Sequence, residues 1–352
     1  MAEAHLNRIA TALPRHEVHD PFRRFAGRQI VDDKTRRAFA RLFDRAHIHN
    51  RFSVLEVNAE ASGTVDDFYR TDRFPSTGER MVRFEAEAPA LAEAACDALG
   101  LEQEGPRITH LILATCTGFV APGIDHGLMR RYGMPGSTER TVVGFMGCQA
   151  AINALKLARQ AVRTDPHARV LVVNLELCSL HLQPSSEVEQ LLCFLLFADG
   201  CSAALVTAEE HGMRLDGFHA AVVPEARDQI TWRIGDGGFD MTLSGFVPLT
   251  LARALPDQAA AILAGHATDA YDLWAVHPGG RSVLDAVMHG LSLPQDALDV
   301  SRSVLRDFGN MSSATVMFVL QRMMATARAG QRGCALAFGP GLSAETMRFT
   351  CV

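Results

Sequence analysis

The chain has no run of apolar residues as long as the roughly 18 that a membrane span needs, although 48% of its 352 residues are hydrophobic. Its opening, MAEAHLNRIATALPRHEV, lacks the apolar core of a signal peptide, so a cytoplasmic location is expected. The eight cysteines are scattered without CxxC pairs or Cys/His clusters, which argues against a zinc site and a disulfide framework; no metal is expected. A net charge of −6 with mixed signs throughout gives no case for nucleic acid binding. No GxGxxG follows a first strand, and no acidic residue stands at the right distance, so a dinucleotide-binding module is disfavoured. What remains is a chain long enough for two domains or one large duplicated one.

The most informative stretch is TVVGFMGCQAAINALKLARQAV, from Thr141 to Val162. Thr141 to Val143 predict a buried strand, Gly144 and Gly147 a sharp turn, and the spacing of Ala151, Ile152, Leu155, Ala158 and Val162 a helix. Cys148 stands at the turn. A thiol there faces unpaired backbone N–H groups and the positive end of the helix dipole, both of which favour the reactive thiolate.

Around it, strands and helices alternate, which predicts an α/β fold. Asn7 to Ala12 reads as a strand and Asp32 to Arg51 as a helix, with Arg37, Arg41 and Arg45 along one face. That face is either a solvated basic surface or a phosphate-binding ridge. A helix over Glu79 to Leu99 closes at Gly100. Ile108 to Thr115 forms a buried strand running into a small-residue loop with Cys116. ARVLVVNLELCSL is a strand of the kind covered on both faces, with Glu176 a structural buried acid. After the loop Gln183–Ser186 and a second apolar segment, Phe197 to Gly200 turns into the strand Ser202 to Val206.

From His211 the pattern restarts. Leu273 to Val276 is a strand, His277 its last residue, Pro278-Gly279-Gly280 a turn, and a helix follows from Ser282. Gly309-Asn310 precedes a helix over Ser312 to Ala327, and two strands flank the Gly339-Pro340-Gly341 turn. GFMGCQAAINALKLARQAV and DFGNMSSATVMFVLQRMMA share a layout, with Cys148 and Asn310 in matching places. A duplicated unit divided into residues 1–210 and 211–352 predicts a pseudo-two-fold core with two helix N-termini converging on one site.

Cys148, His277 and Asn310 each stand at the end of a strand or the start of a helix, beside glycine. Histidine is the natural partner that activates a thiol near neutral pH. Asparagine does not titrate, but its amide donates to a developing oxyanion. The set suits formation of a thioester and stabilisation of charge on a second acyl carbonyl. Taken singly, a packing thiol, a satisfied core histidine and an N-cap asparagine are the alternatives.

The motifs GFMGC, WAVHPGG, GNMSSA and AFGPG resemble those of the type III polyketide synthases of the chalcone synthase superfamily, over essentially the whole length. The resemblance implies the thiolase-like fold, a duplicated five-layered α-β-α-β-α architecture. It implies that Cys148 carries the starter and growing chain, while His277 and Asn310 promote decarboxylation of malonyl-CoA and stabilise its enolate. Phe197 falls at a gatekeeper position. Met241 falls at a second, where plant enzymes have Phe, which makes the gate more pliable. Arg41 and Arg45 match two CoA-binding basic positions, and Ala38 occupies the third. Cys116 and Ser312 fall at cavity-lining positions. Ala121 replaces a Met that plant enzymes push across the dimer interface, which leaves more room for a long chain. Gly339, Pro340 and Gly341 correspond to the cyclisation loop.

The expected partners are acyl-CoA, malonyl-CoA and a second copy of the chain, with no cofactor beyond the CoA thioesters. The bacterial look of the motifs suggests a fatty-acyl starter and an alkylpyrone or alkylresorcinol product. The competing readings are a β-ketoacyl synthase of the KAS III kind and a Cys-dependent thioesterase or hydrolase.

Overall fold

A computed structural model describes residues 2–185, 187–223 and 226–352; Ser186, at the end of the loop read from Gln183, lies outside them. The first half runs β1 (His5–Ala12), β2 (His16–Glu17), α1 (His19–Gln29), α2 (Asp33–Ala46), β3 (Phe52–Ser53), α3 (Thr77–Leu99) and α4 (Leu101–Glu104). It continues through β4 (His110–Thr115), α5 (Ile124–Arg131), β5 (Glu139–Gly144), α6 (Ala150–Thr164), β6 (Val170–Leu177), α7 (Val188–Leu196) and β7 (Asp199–Thr207). The second half begins with β8 (Met213–Val222), β9 (Ile230–Gly235), β10 (Gly238–Leu243), α8 (Val247–Ile262) and β11 (Leu273–Val276). It ends with α9 (Arg281–Gly290), α10 (Asp299–Phe308), α11 (Ala314–Met324), β12 (Arg332–Gly339) and β13 (Ser343–Cys351).

Local chemistry sets the helix ends. The Asp32 carboxylate accepts from the Thr35 amide and starts α2, while Ser76 and Glu79 form a reciprocal capping box at α3. Gly100, at φ 80°, closes α3. The helix expected over Asp32 to Arg51 stops at Ala46, because His47 takes a left-handed conformation. Residues 47–51 then run inward, and Arg51 is buried.

Nine strands hydrogen-bond in the order β11-β12-β13-β8-β1-β7-β6-β4-β5. Parallel β4–β6 flanked by antiparallel β7 and β1 matches parallel β11–β12 flanked by antiparallel β13 and β8. The two arrays join through only two β1–β8 pairs, His5–Arg214 and Leu6–Met213, so they splay and fold over one another. Between them lie α6 and α11; α6 packs on β4, β6 and β7, and α11 on β1, β7 and β11. Outside, α3 covers β1, β6 and β7, while α8 covers β8 and β13. The result is the five-layered α-β-α-β-α order. The buried face of α6 carries Ala150, Ala151, Ala154 and Ala158, small enough to let sheet and helix approach closely. Every residue of β6 is buried, as its continuous apolar run predicts.

One strand differs from expectation. β5, read as buried, is the edge of the sheet, with Glu139, Arg140, Thr141 and Val142 exposed. An apolar strand next to a Gly turn has the same local pattern at an edge as in a centre; only the strand order tells them apart. Among the described residues no helix is long and apolar enough to cross a membrane.

Candidate active site

Cys148, His277 and Asn310 each follow a tight connection at the end of a strand or helix. After β5 the chain passes Phe145, at φ 55°, into a single 3-10 turn, Gly147–Gln149, and then α6. Gly147 has φ 67°, and a Cβ there would stand 2.4 Å from Pro340 Cδ, so both the backbone and the neighbouring turn require glycine. Cys148 follows. After β11, buried His277 enters the Pro-Gly-Gly turn. After α10, Gly309 at φ 70° presses against Arg51 and the Leu196 carbonyl, and places Asn310. The Asn310 backbone is bridged to Phe197: its amide donates to Leu196 O (2.8 Å), and Ala198 N donates to Asn310 O (2.9 Å).

The three residues meet in one cavity, lined by side chains from both halves of the chain. The Cys148 thiol lies 3.9 Å from Ser312 Oγ. The Asn310 carbonyl oxygen accepts from Ser312 N (2.9 Å) and Thr315 Oγ1 (3.4 Å), which fixes which end of the amide faces out. Its Nδ2 donates to Gly279 O (3.3 Å), leaving one N–H for another acceptor. Both ring nitrogens of buried His277 have no hydrogen-bond partner among the described residues. Because His277 also lines the cavity, both nitrogens are available to a substrate there.

Charge at this site differs from what the helix start suggested. Burial pushes the Cys148 thiol up to about 12, outweighing hydrogen bonds from Ser312 and Asn310. Burial also pushes His277 down to about 3. The cysteine sits half-buried ahead of α6 in the 3-10 turn, where desolvation dominates the dipole. Either charge is costly here, so burial favours the neutral thiol and the neutral imidazole.

The other expected positions separate. Phe197, Met241, Cys116, Ser312, Gly339 and Pro340 line the cavity. Gly341 does not; it turns the chain at φ 75°. Arg45 lines an adjoining cavity between α2 and α9, whereas exposed Arg41 lies outside its wall. Ala121 is exposed and lines neither cavity, so its small side chain adds no room to either within a single copy of the chain.

Several lining residues escaped the sequence reading. β9 and β10 pair with Trp232 opposite Met241 and Ile230 opposite Leu243, which puts four apolar side chains on the cavity side. The signal was present in the alternation of ITWRI around an Asp-Gly-Gly turn. His181 stacks on Phe239 at 4.2 Å, accepts from Phe239 N and contacts Thr117 O, pinning this hairpin to the loop after β4. Trp232 Nε1 donates to Cys116 O at 2.7 Å. Cys178 and Cys193 join Cys116 and Cys148 in the lining, a grouping that spacing could not reveal.

Beneath the site, fully buried Glu176 accepts from Cys116 N, Thr117 Oγ1 and Ser313 Oγ. It ties the loop after β4 to the start of α11, a structural role. Burial raises its carboxyl to about 7 from an ordinary 4.5. Between those values the folded chain keeps a proton that the unfolded chain has lost, so this group's stabilisation is lost as pH rises through about 7. Glu176→Gln removes that titration. The denaturant midpoint of the unaltered protein should fall relative to the variant between about pH 5 and 8; parallel midpoints across the range would refute the raised carboxyl.

A thiol, an unpaired imidazole and an oriented amide at the floor of a largely apolar cavity, on a duplicated five-layered fold, define a condensing enzyme of the thiolase-like class. Residues 2–210 match the family described as chalcone and stilbene synthases, N-terminal domain, and residues 215–352 match its C-terminal domain. The chain belongs to this family and is a type III polyketide synthase, an acyltransferase that works by malonyl-CoA-dependent decarboxylative condensation. The alpha-pyrone synthesis polyketide synthase-like Pks18 of Mycobacterium tuberculosis is 31% identical over 360 residues, 98% of this chain and 90% of its own length. The 1,3,6,8-tetrahydroxynaphthalene synthase of Streptomyces coelicolor is 34% identical over 282 residues, 77% of this chain and 74% of its own. Its crystal structure superposes with a TM-score of 0.87 at 27% identity, covering 100% of this chain and 99% of that one. PKS-I of the brown alga Ectocarpus siliculosus gives 0.88 at 26%, covering 100% and 99%.

Proposed function

We propose that this synthase loads a fatty-acyl-CoA starter on Cys148, extends it with malonyl-CoA, and closes the product to an alkylpyrone or alkylresorcinol. The observation that carries the reading is the lining of the cavity: apolar side chains from both halves surround a floor where Cys148, His277, Asn310 and Ser312 converge. Pks18, a relative along nearly the whole chain, is described as an alpha-pyrone synthesis protein, which supports the pyrone outcome.

In this reading His277 takes the Cys148 proton as the thiolate attacks the starter thioester and CoA leaves. Malonyl-CoA then binds with its thioester carbonyl against the His277 ring nitrogen and the Asn310 amide. Loss of CO₂ leaves an enolate whose oxygen both groups hold. The enolate carbon attacks the acyl group on Cys148, a C–C bond forms, and the thiolate departs. Phe197 and Met241 stand over the route, and Gly339 and Pro340, held by the turn at Gly341, shape the wall where the chain folds back. The chemistry needs no cofactor beyond the CoA thioesters.

We also infer a homodimer formed along β5. This edge exposes Thr141 and Val142 with Met146 beside them, an unpaired apolar edge of the kind that pairs with another copy. Ala121, exposed here, would then face the partner.

The deciding experiment incubates the purified protein with malonyl-CoA and acyl-CoA starters of graded length, including aromatic ones, and identifies products by mass spectrometry. Pyrones or resorcinols from one preferred long-chain starter are expected. Release of free CoA and fatty acid alone would favour a thioesterase and overturn the proposal.

A further inference from the structure

The adjoining cavity shares Leu243, Val247, Gly279 and Val283 with the catalytic one, so the two abut and together outline a passage toward Cys148. Its outer wall carries two cations from different halves of the chain: Arg45 near the end of α2, and Arg281 at the start of α9. We propose that Arg281 binds the phosphate-bearing end of the CoA thioester, replacing the basic side chain that position 38 lacks. This rests on the reading above that CoA thioesters are the substrates.

Three observations support the assignment. Arg281 is held at the mouth rather than swinging free: its Nη1 lies 3.0 Å from His47 Nε2 and 3.5 Å from the Arg45 carbonyl. The nearby acid is largely engaged elsewhere, since Asp285 lies 2.7 Å from Arg302 but 3.7 Å from Arg281. Arg45 forms no ion pair among the described residues. Two like charges on one wall repel, and an anion between them relieves the repulsion. A guanidinium also matches phosphate oxygens in a two-pronged geometry. Arg41 is exposed outside the wall, so α2 alone supplies one cation to this passage and Arg281 the second.

The test is steady-state kinetics of Arg281→Ala with malonyl-CoA and with malonyl-N-acetylcysteamine, which carries the same acyl group and no phosphate. The ratio of KM for malonyl-CoA to KM for the short thioester should rise about tenfold, with Arg281→Lys recovering part of the loss. An unchanged ratio overturns the proposal, whether both constants stay put or both rise together; the latter assigns Arg281 a structural role. Failure of the unaltered protein to condense either thioester overturns the substrate reading itself, and with it this one.

Discussion

Cys148→Ala abolishes product formation, by at least about 10³-fold, because Cys148 is the thiol proposed to carry the chain. The loss should be specific to loading. His277 and Asn310 remain, so slow release of CO₂ from malonyl-CoA should persist in the variant. Intact-protein mass spectrometry after mixing with a starter CoA checks this directly: the unaltered protein gains the mass of one acyl group, and the variant gains none. Acylation of the variant would show that another of the cavity's thiols, Cys116, Cys178 or Cys193, takes the starter. Cys148, at the turn before α6 with Ser312 Oγ at 3.9 Å, is the thiol we expect to react.

Asn310→Ala slows extension by about 10²- to 10³-fold, the usual cost of removing one oxyanion donor from a dry site. Starter loading should survive, because Cys148 and His277 are untouched. The pair of readouts is therefore the acyl mass on Cys148, retained, and CO₂ release from malonyl-CoA, depressed. Unchanged CO₂ release would remove Asn310 from enolate stabilisation. The substitution also removes the acceptor for Ser312 N and Thr315 Oγ1. If that collapsed the start of α11, loading would fall as well, so retained acylation separates the two causes.

The motif glycines show how much of the site was legible beforehand. Gly147 and Gly309 mark turns that only a residue without Cβ can make against Pro340 and Arg51, and each stands one position before a residue of the site. Local backbone need is written into local sequence, so Cys148, His277 and Asn310 could be picked out by their turns. The alternation of strands and helices revealed the α/β class, and the matching layouts of the two halves the duplication. Strand Leu273–Val276 was read to the residue.

Other properties depend on distant partners. Whether β5 is a central or an edge strand depends on what lies beyond it in the sheet. The height of the Cys148 and His277 titrations depends on desolvation by atoms from both halves, which overrides the helix dipole that the local pattern advertised. The second cation of the passage comes from Arg281, 236 residues after Arg45, and no spacing rule connects them. By itself the sequence determined the fold class and the glycine turns that hold Cys148, His277 and Asn310, because each follows from periodicity and turn chemistry within a few residues. The tertiary structure alone decided which side chains share the cavity, how strongly burial opposes charge there, and which face is left open, because those follow from packing between segments far apart in the chain.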